Sequence, residues 1–248
     1  MRTLSYAEAI REGLAEEMRR DPKVFVFGED VGQYGGTFKV TKGLIEEFGP
    51  ERVIDSPLSE NAIIGAATGA AIMGYRPVAE IMYMDFLNEC GDQAINHLPK
   101  LHFMTGGKLK VPVVIRTQYS LVATPSSPAD AKGLLKTAIR GSNPVLFVES
   151  AALYSSKGEV PEGEILIPFG RADVKLEGSD VTVVAISRLV KEAVSAGQEL
   201  SAEGISIEVV DPKTLVPLDL ETITASVKKT GRLITSRLTT GLSCIPYA

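Results

Sequence analysis

Apolar residues recur at helical spacing through Ala9, Ile10, Leu14 and Met18. Ser5, a residue type that caps helices, precedes them, and Asp21-Pro22 closes the stretch. The unbroken run Val24 to Phe27 has strand length, Gly28 to Gly36 is polar and glycine-rich and reads as loop, and Thr41 to Phe48 is a short helix closed by Gly49-Pro50. The alternation continues with a strand at Arg52 to Asp55, a small-residue helix at Asn61 to Met73 and a strand at Val78 to Met82. Phe86 to Met104 reads as mostly helical, with Pro99 bending it or limiting its first turns, and Thr105-Gly106-Gly107 as a turn. A strand at Val111 to Ile115, a helix at Ala129 to Ile139 and a strand at Pro144 to Glu149 complete this part. Apolar strands separated by helices predict an α/β fold built on a mostly parallel sheet flanked by helices.

Lys157 to Glu177 breaks the pattern with Gly, Pro, Glu and Lys, and reads as a linker holding one extended piece, Ala172 to Leu176. Beyond it, strands at Val181 to Ile186, Ile205 to Val210 and Arg232 to Thr235 enclose helices at Val190 to Leu200 and Leu220 to Lys228. The expected organisation is a first domain over residues 1–178, its linker at 157–178, and a smaller α/β domain over 179–248. Two places resist this reading. Only Thr117 to Ser120 separates the strand ending at Arg116 from the apolar Leu121-Val122-Ala123, whereas parallel neighbours need a crossover of about a dozen residues. The chain also stops abruptly after Thr239-Thr240-Gly241. Both places read as segments abutted across an absent loop, which leaves the second domain incomplete.

The composition of the 248 residues, 44% hydrophobic and 23% charged with a net charge of -5, is that of an ordinary globular protein and opposes nucleic acid as a partner. Two cysteines, Cys90 and Cys244, make neither a disulfide framework nor a metal pair. The most apolar stretch, Ile63 to Met73, is too short for a bilayer. No secretory leader is apparent at Met1-Arg2-Thr3. A cytoplasmic protein is expected, or a mitochondrial-matrix one in a eukaryote.

One constellation carries chemistry. The run SPLSENAIIGAATGAAIMGYRPVAEIMYMDF, Ser56 to Phe86, places Glu60 at the opening of the small-residue helix and leads into a strand carrying Glu80 and ending at Asp85-Phe86. A carboxylate buried there needs a partner, and a heterocyclic nitrogen is one. A carboxylate balancing the helix dipole is the simpler alternative. Gly65, Gly69 and Gly74, with Ala66 and Ala70, make a small-residue face suited to close helix approach, within the chain or between chains.

The chain resembles the beta subunit of the thiamine-diphosphate-dependent E1 component of 2-oxo acid dehydrogenase complexes, with acetoin dehydrogenase beta subunits as near kin. The resemblance rests on LSYAEAIREGLAEEM, VFVFGEDVGQYGGTFKVTKGL, ERVIDSPLSEN, GYRPVAEIMYMDF, KLHFMTGGKLKVPVVIRT, PSSPADAKGLLKTAIRGSNPVLFVE, EGSDVTVVA, EVVDPKTLVPLD and VKKTGRLI, in this order over nearly the whole chain. It implies a pyrimidine-binding domain followed by a C-terminal domain of transketolase type. It further implies an alpha partner in an alpha2beta2 heterotetramer, and an E2 lipoyl acyltransferase that receives the acyl group. Pyruvate or a branched-chain 2-oxo acid is the implied substrate; acetoin cleavage is the nearest variant, and a non-catalytic assembly module on the same fold is the remaining alternative.

The resemblance assigns residues too. Glu60 matches the glutamate that contacts N1′ of the cofactor's aminopyrimidine, so it acts through the cofactor. Phe86 matches the ring that stacks on that heterocycle. Glu29 and Leu58 fall to the same pocket. Most diphosphate and Mg²⁺ contacts are expected from the alpha subunit, since Gly91-Asp92-Gln93 departs from the family's metal motif. Ala129 to Leu135 with Asn143-Pro144 resembles a region where backbone carbonyls bind K⁺ in some members. Asp92 and His97 are candidates for the subunit interface, and His102 for a structural role. Arg116 is a candidate for orienting an acidic substrate group or for a salt bridge. The chain lacks the family's longer glycine-rich loop ending in His-Ser-Gln after Arg116-Thr117 and the His-Glu-Ala with its continuation after Ile234-Thr235-Ser236; its histidines are His97 and His102.

Overall fold

Ser5 caps the first helix by a reciprocal box: its hydroxyl accepts from the Glu8 N–H while the Glu8 carboxylate accepts from the Ser5 N–H. This helix, α1 (Tyr6–Arg20), buries Ile10, Leu14 and Met18 and ends at Asp21, as the spacing predicts. The computed structural model describes residues 1–118 and 123–236. Leu121-Val122, Cys244 and the chain end therefore lie outside the described residues.

Five parallel strands form the first sheet, in the order β3-β2-β4-β5-β6: β2 (Val24–Gly28), β3 (Val53–Asp55), β4 (Arg76–Glu80), β5 (Val114–Gln118) and β6 (Val145–Glu149). On one face lie α1 and α5 (Pro128–Arg140), over a core that includes Val26, Val78, Leu134 and Phe147. On the other lie α3 (Glu60–Ile72) and α4 (Leu98–Met104), over Ile63, Ala67, Ile81 and Val113. The short helix α2 (Leu44–Phe48) packs beside α1. Buried charges lace α1 to α5: Lys132 donates to Glu12 and Glu16, Lys136 to Glu16, and Arg140 to Glu17. Fully buried lysines are tolerable only with such partners.

The second sheet has the order β11-β9-β10-β8, from β8 (Asp173–Leu176), β9 (Val181–Ala185), β10 (Ile207–Asp211) and β11 (Leu233–Ser236). Three strands are parallel and β8 is an antiparallel edge. Helices α6 (Arg188–Ser201) and α7 (Leu220–Thr230) complete it. Gly178 turns the chain from β8 to β9 against the backbone of Ile207 and Glu208; a side chain there would put its first carbon 2.2 Å from the Ile207 carbonyl carbon. Where the two sheets meet, the Ser126 hydroxyl donates to Asp211 at 2.5 Å, and Lys213 and Lys175 pair with Asp130.

Four sequence expectations change. The linker is not free chain: β7 (Lys157–Val160) pairs antiparallel with β1 (Arg2–Ser5), Arg2 opposite Val160, a contact too remote in sequence to show as local periodicity. Its extended piece is β8, so the second sheet takes in residues before Ser179. The helix expected over Phe86 to Met104 is three pieces: a 3₁₀ turn at Met84–Asn88, a π turn at Asp92–His97 and α4. The π turn runs without a break into α4, and Pro99, lacking an N–H, falls just after it. Finally, β4 stops at Glu80, so Asp85-Phe86 is not on a strand. The Phe86 N–H instead donates to the Tyr83 carbonyl at 3.0 Å, which closes the turn. Among the described residues no helix is long and apolar enough to cross a membrane.

Candidate active site

In a parallel sheet the carboxyl ends of the strands share one rim, where ligands gather. Here β3, β2 and β4 are neighbours, and the segments leaving them carry Glu60, Glu29 and Phe86. The sheet order thus brings together residues separated by up to 57 positions in sequence.

Glu60 is the first residue of α3 and is 9% exposed. Helix α3 has no side-chain cap of its own, since the Ser59 hydroxyl donates to the Pro57 carbonyl. Glu29 supplies the missing acceptor from across the rim: its Oε1 takes the Ser59 N–H at 3.3 Å. Burial pushes the Glu29 carboxyl up, the neighbouring Glu60 charge pushes it further, and the Ser59 N–H pulls it back. Among the described residues no hydrogen bond or ion pair reaches the Glu60 carboxylate. It stands at the positive end of α3 with Glu29 as its charged neighbour, and it is available to an incoming donor nitrogen.

Leu58, two residues before Glu60, is 81% exposed, and Phe86, beyond the end of β4 on the same rim, is 38% exposed. The Phe86 ring meets the edge of Tyr83 with centroids 5.8 Å apart. A carboxylate without a polar partner among the described residues, on a rim that also carries a half-covered aromatic ring, fits a flat heterocycle carrying one protonatable edge nitrogen.

Arg116 is not available to substrate. It is buried in the middle of β5, and its Nε and one Nη donate to both oxygens of Glu149 at 2.6 and 2.8 Å; the other Nη donates to Glu80 at 2.5 Å. Burial pushes the Glu80 carboxyl up, against the pull of Arg116. The Tyr154 hydroxyl donates to Glu149 at 2.7 Å. Sequence reading missed this triad as a unit. Its signal is one charged residue in or at the end of each of three apolar strands, Glu80, Arg116 and Glu149, which sheet order makes neighbours.

His102 accounts for itself locally. Its Nδ1 lies 2.6 Å from the Leu109 carbonyl, which can only accept, so Nδ1 carries the hydrogen and the ring closes the Gly106-Gly107 turn. His97 and Asp92 are exposed on the π turn, where Asn96 donates to Asp92 at 3.0 Å and His97 lies 3.3 Å from Gln93. Residues Ala129 to Leu135 lie inside α5. At the end of that helix the carbonyls of Ile139 and Gly141 both accept from Arg76 at 2.7 Å. Around the small-residue face, Gly65 meets the Gln93 side chain and Gly69 faces open space. Gly74 is not part of that packing: it holds φ +92° in the turn after α3.

Residues 2–121 match the transketolase pyrimidine-binding domain and residues 170–238 the transketolase C-terminal domain. The acetoin:2,6-dichlorophenolindophenol oxidoreductase subunit beta of Bacillus subtilis is 42% identical over 268 residues, covering 94% of this chain and 78% of that protein. The pyruvate dehydrogenase E1 component subunit beta of Rickettsia bellii is 43% identical, covering 93% and 78%. The 2-oxoisovalerate dehydrogenase subunit beta of Bacillus subtilis is 42% identical, covering 94% and 79%. Among solved structures, a split-gene transketolase in an inactive beta4 tetramer superimposes with a TM-score of 0.78 at 24% identity, over 94% of this chain and 79% of that one, a likeness of fold. The first of these alignments is longer than this chain's 248 residues, so that relative has segments without a counterpart here. With two transketolase domains in this order and identity above 40% over nine-tenths of its length, the chain belongs to the family of E1 beta subunits of the 2-oxo acid and acetoin dehydrogenases.

Proposed function

We propose that this chain is the beta half of an alpha2beta2 E1 enzyme that oxidatively decarboxylates a 2-oxo acid and passes the acyl group to the lipoyl arm of an E2 acyltransferase. The observation that carries the reading is Glu60: a mostly buried residue whose carboxylate has no polar partner among the described residues yet keeps some access to solvent, with Glu29 beside it. In this reading Glu60 holds the N1′ edge of thiamine diphosphate and exchanges a proton there. Glu29 holds the Ser59 N–H at the cap of α3 and so keeps the start of the helix that carries Glu60 in place. Phe86 and Leu58 cover the flat faces of the heterocycle and exclude water. When bound, the cofactor supplies the nucleophilic carbon and the electron sink for decarboxylation.

The pocket is half a site. Leu58 lies open, as do Ile95 (65%), Phe103 (86%) and Met104 (69%), along with the glycine face of α3 at Gly69. Such apolar exposure marks a surface that another chain covers. The alpha subunit fits there and would bring the groups for the diphosphate and Mg²⁺.

The test is thiamine diphosphate and Mg²⁺ binding by the chain alone and co-expressed with its alpha-type partner, followed by turnover of pyruvate, 2-oxoisovalerate and acetoin. Binding is expected only in the mixture. Glu60→Gln should lower turnover by at least about a hundredfold. Turnover by the chain alone, or an active Glu60→Gln complex, would overturn the reading. No binding in either state would leave an assembly role.

A further inference from the structure

Phe86 has little of its own to hold it. It sits in a five-residue 3₁₀ turn beyond the end of β4, and its ring is 38% exposed. Its aromatic contact is the edge of Tyr83, at 5.8 Å and 83° between planes, a favoured geometry. Tyr83 in turn meets Phe38 edge-on, at 6.3 Å and 86°. Phe38 lies flat on Tyr154, at 5.0 Å and 24°. Tyr154 cannot swing away, because its hydroxyl donates to Glu149 and Glu149 is clamped by both donors of Arg116. Tyr6 closes on the other side of Tyr154, with centroids 5.9 Å apart.

The row also joins the two halves of the pocket. Phe38 comes from the same glycine-rich loop as Glu29. That loop turns at Gly35 and Gly36, with φ +77° and +75°, and is braced by the Thr41 hydroxyl donating to the Val31 carbonyl at 2.7 Å. One end of the loop therefore places a carboxylate on the cap of α3, and the other places a ring behind Phe86.

We propose that Tyr83 and Phe38 are positioning residues that set the plane of Phe86 for cofactor stacking, with Tyr154 and the Glu149–Arg116–Glu80 triad as their anchor. This rests on the function proposed above, through the role given to Phe86. Neither residue touches the reacting atoms, so their loss weakens cofactor capture and spares the chemical step once the site is filled.

The experiment uses the assembled complex with its alpha partner and measures the Kd of thiamine diphosphate by titration calorimetry without substrate, the cofactor KM and the kcat at saturating cofactor, with assembly checked by gel filtration; Kd is expected to move with KM in every variant. Tyr83→Leu should raise the cofactor KM by about three- to tenfold, the worth of one edge-to-face pair, with kcat within about twofold. Tyr83→Phe keeps the ring and should keep KM within about twofold of the parent. Phe38→Leu should raise KM as well, and adding it to Tyr83→Leu should change nothing further, because Phe38 acts through Tyr83. Phe38→Leu carries the test if Tyr83→Leu does not assemble. A KM unmoved by Tyr83→Leu, a Tyr83→Phe variant as poor as Tyr83→Leu, additive effects, or a loss confined to kcat would each overturn the proposal. Phe86→Leu separates the two readings. If it raises KM while Tyr83→Leu does not, only the positioning role falls; if it leaves KM unchanged, the stacking role falls and the positioning role with it.

Discussion

Arg116→Met should cost this protein a large part of its stability, and the cost should shrink in acid. The parent side chain is 2% exposed and pairs with two carboxylates through three charge-assisted hydrogen bonds of 2.5–2.8 Å. Methionine fills much of the stem's volume but strands Glu80 and Glu149 side by side at the strand ends. Removing one partner from a buried ion pair costs about 3–5 kcal/mol, against a total domain stability of about 5–15 kcal/mol. The sign with pH follows from the stranded charge. Burial raises the folded-state proton affinity of such a carboxyl above its unfolded value, so the penalty is full at neutral pH and fades as falling pH lets the pair take up a proton. The assay is urea unfolding at pH 7 and pH 5, followed by circular dichroism at 222 nm because the chain has no tryptophan. The variant should gain stability relative to the parent on going to pH 5. Adding Glu80→Gln and Glu149→Gln should restore most of the loss, since a neutral site strands nothing. A variant within about 1 kcal/mol of the parent at pH 7, or one whose deficit deepens at pH 5, would refute the reasoning.

Two further outcomes follow from other sites. Gly178→Ala drives a carbon into the backbone of Ile207 and Glu208 at 2.2–2.3 Å, so the second sheet should lose about 3 kcal/mol or more, read as early loss of hydrogen-exchange protection in β10. Asp211 is fully buried and its carboxyl is pushed up to about 6, chiefly by burial, so the parent carries a penalty that is absent below about pH 4 and full above about pH 6. Asp211→Asn should therefore gain stability relative to the parent as pH rises through that window, by on the order of 2 kcal/mol in urea melts; a difference that stays constant from pH 4 to 7 would contradict the assignment.

Much of the fold was readable along the chain because its signals are local. The Ser5–Glu8 box, the spacing of Ile10, Leu14 and Met18, and the stop at Asp21-Pro22 mark α1 without reference to anything else. The same holds for the apolar strand runs, whose burial on both faces removes the need for alternation. Boundaries failed where a distant partner decides them. Residues 157–160 become strand because residues 2–5 lie beside them, and Phe86 leaves the strand because Tyr83 closes a turn beneath it.

The candidate site divides along the same line. Local sequence and family likeness were enough to single out Glu60, Phe86, Glu29 and Leu58 as residues of interest. Which atoms meet is a matter of strand order, and strand order is set by crossovers and packing, not by neighbours in the chain. Only the tertiary structure makes Glu29 the cap of α3, turns Arg116 from a candidate substrate ligand into the centre of a buried triad, and lines Tyr83, Phe38 and Tyr154 up behind Phe86. The sequence by itself determined which segments coil or extend, because hydrogen bonding and burial within a segment depend on its own residues. The tertiary structure decided the partners of every buried charge, because a charge removed from water is held by whichever groups the folded sheet places within reach.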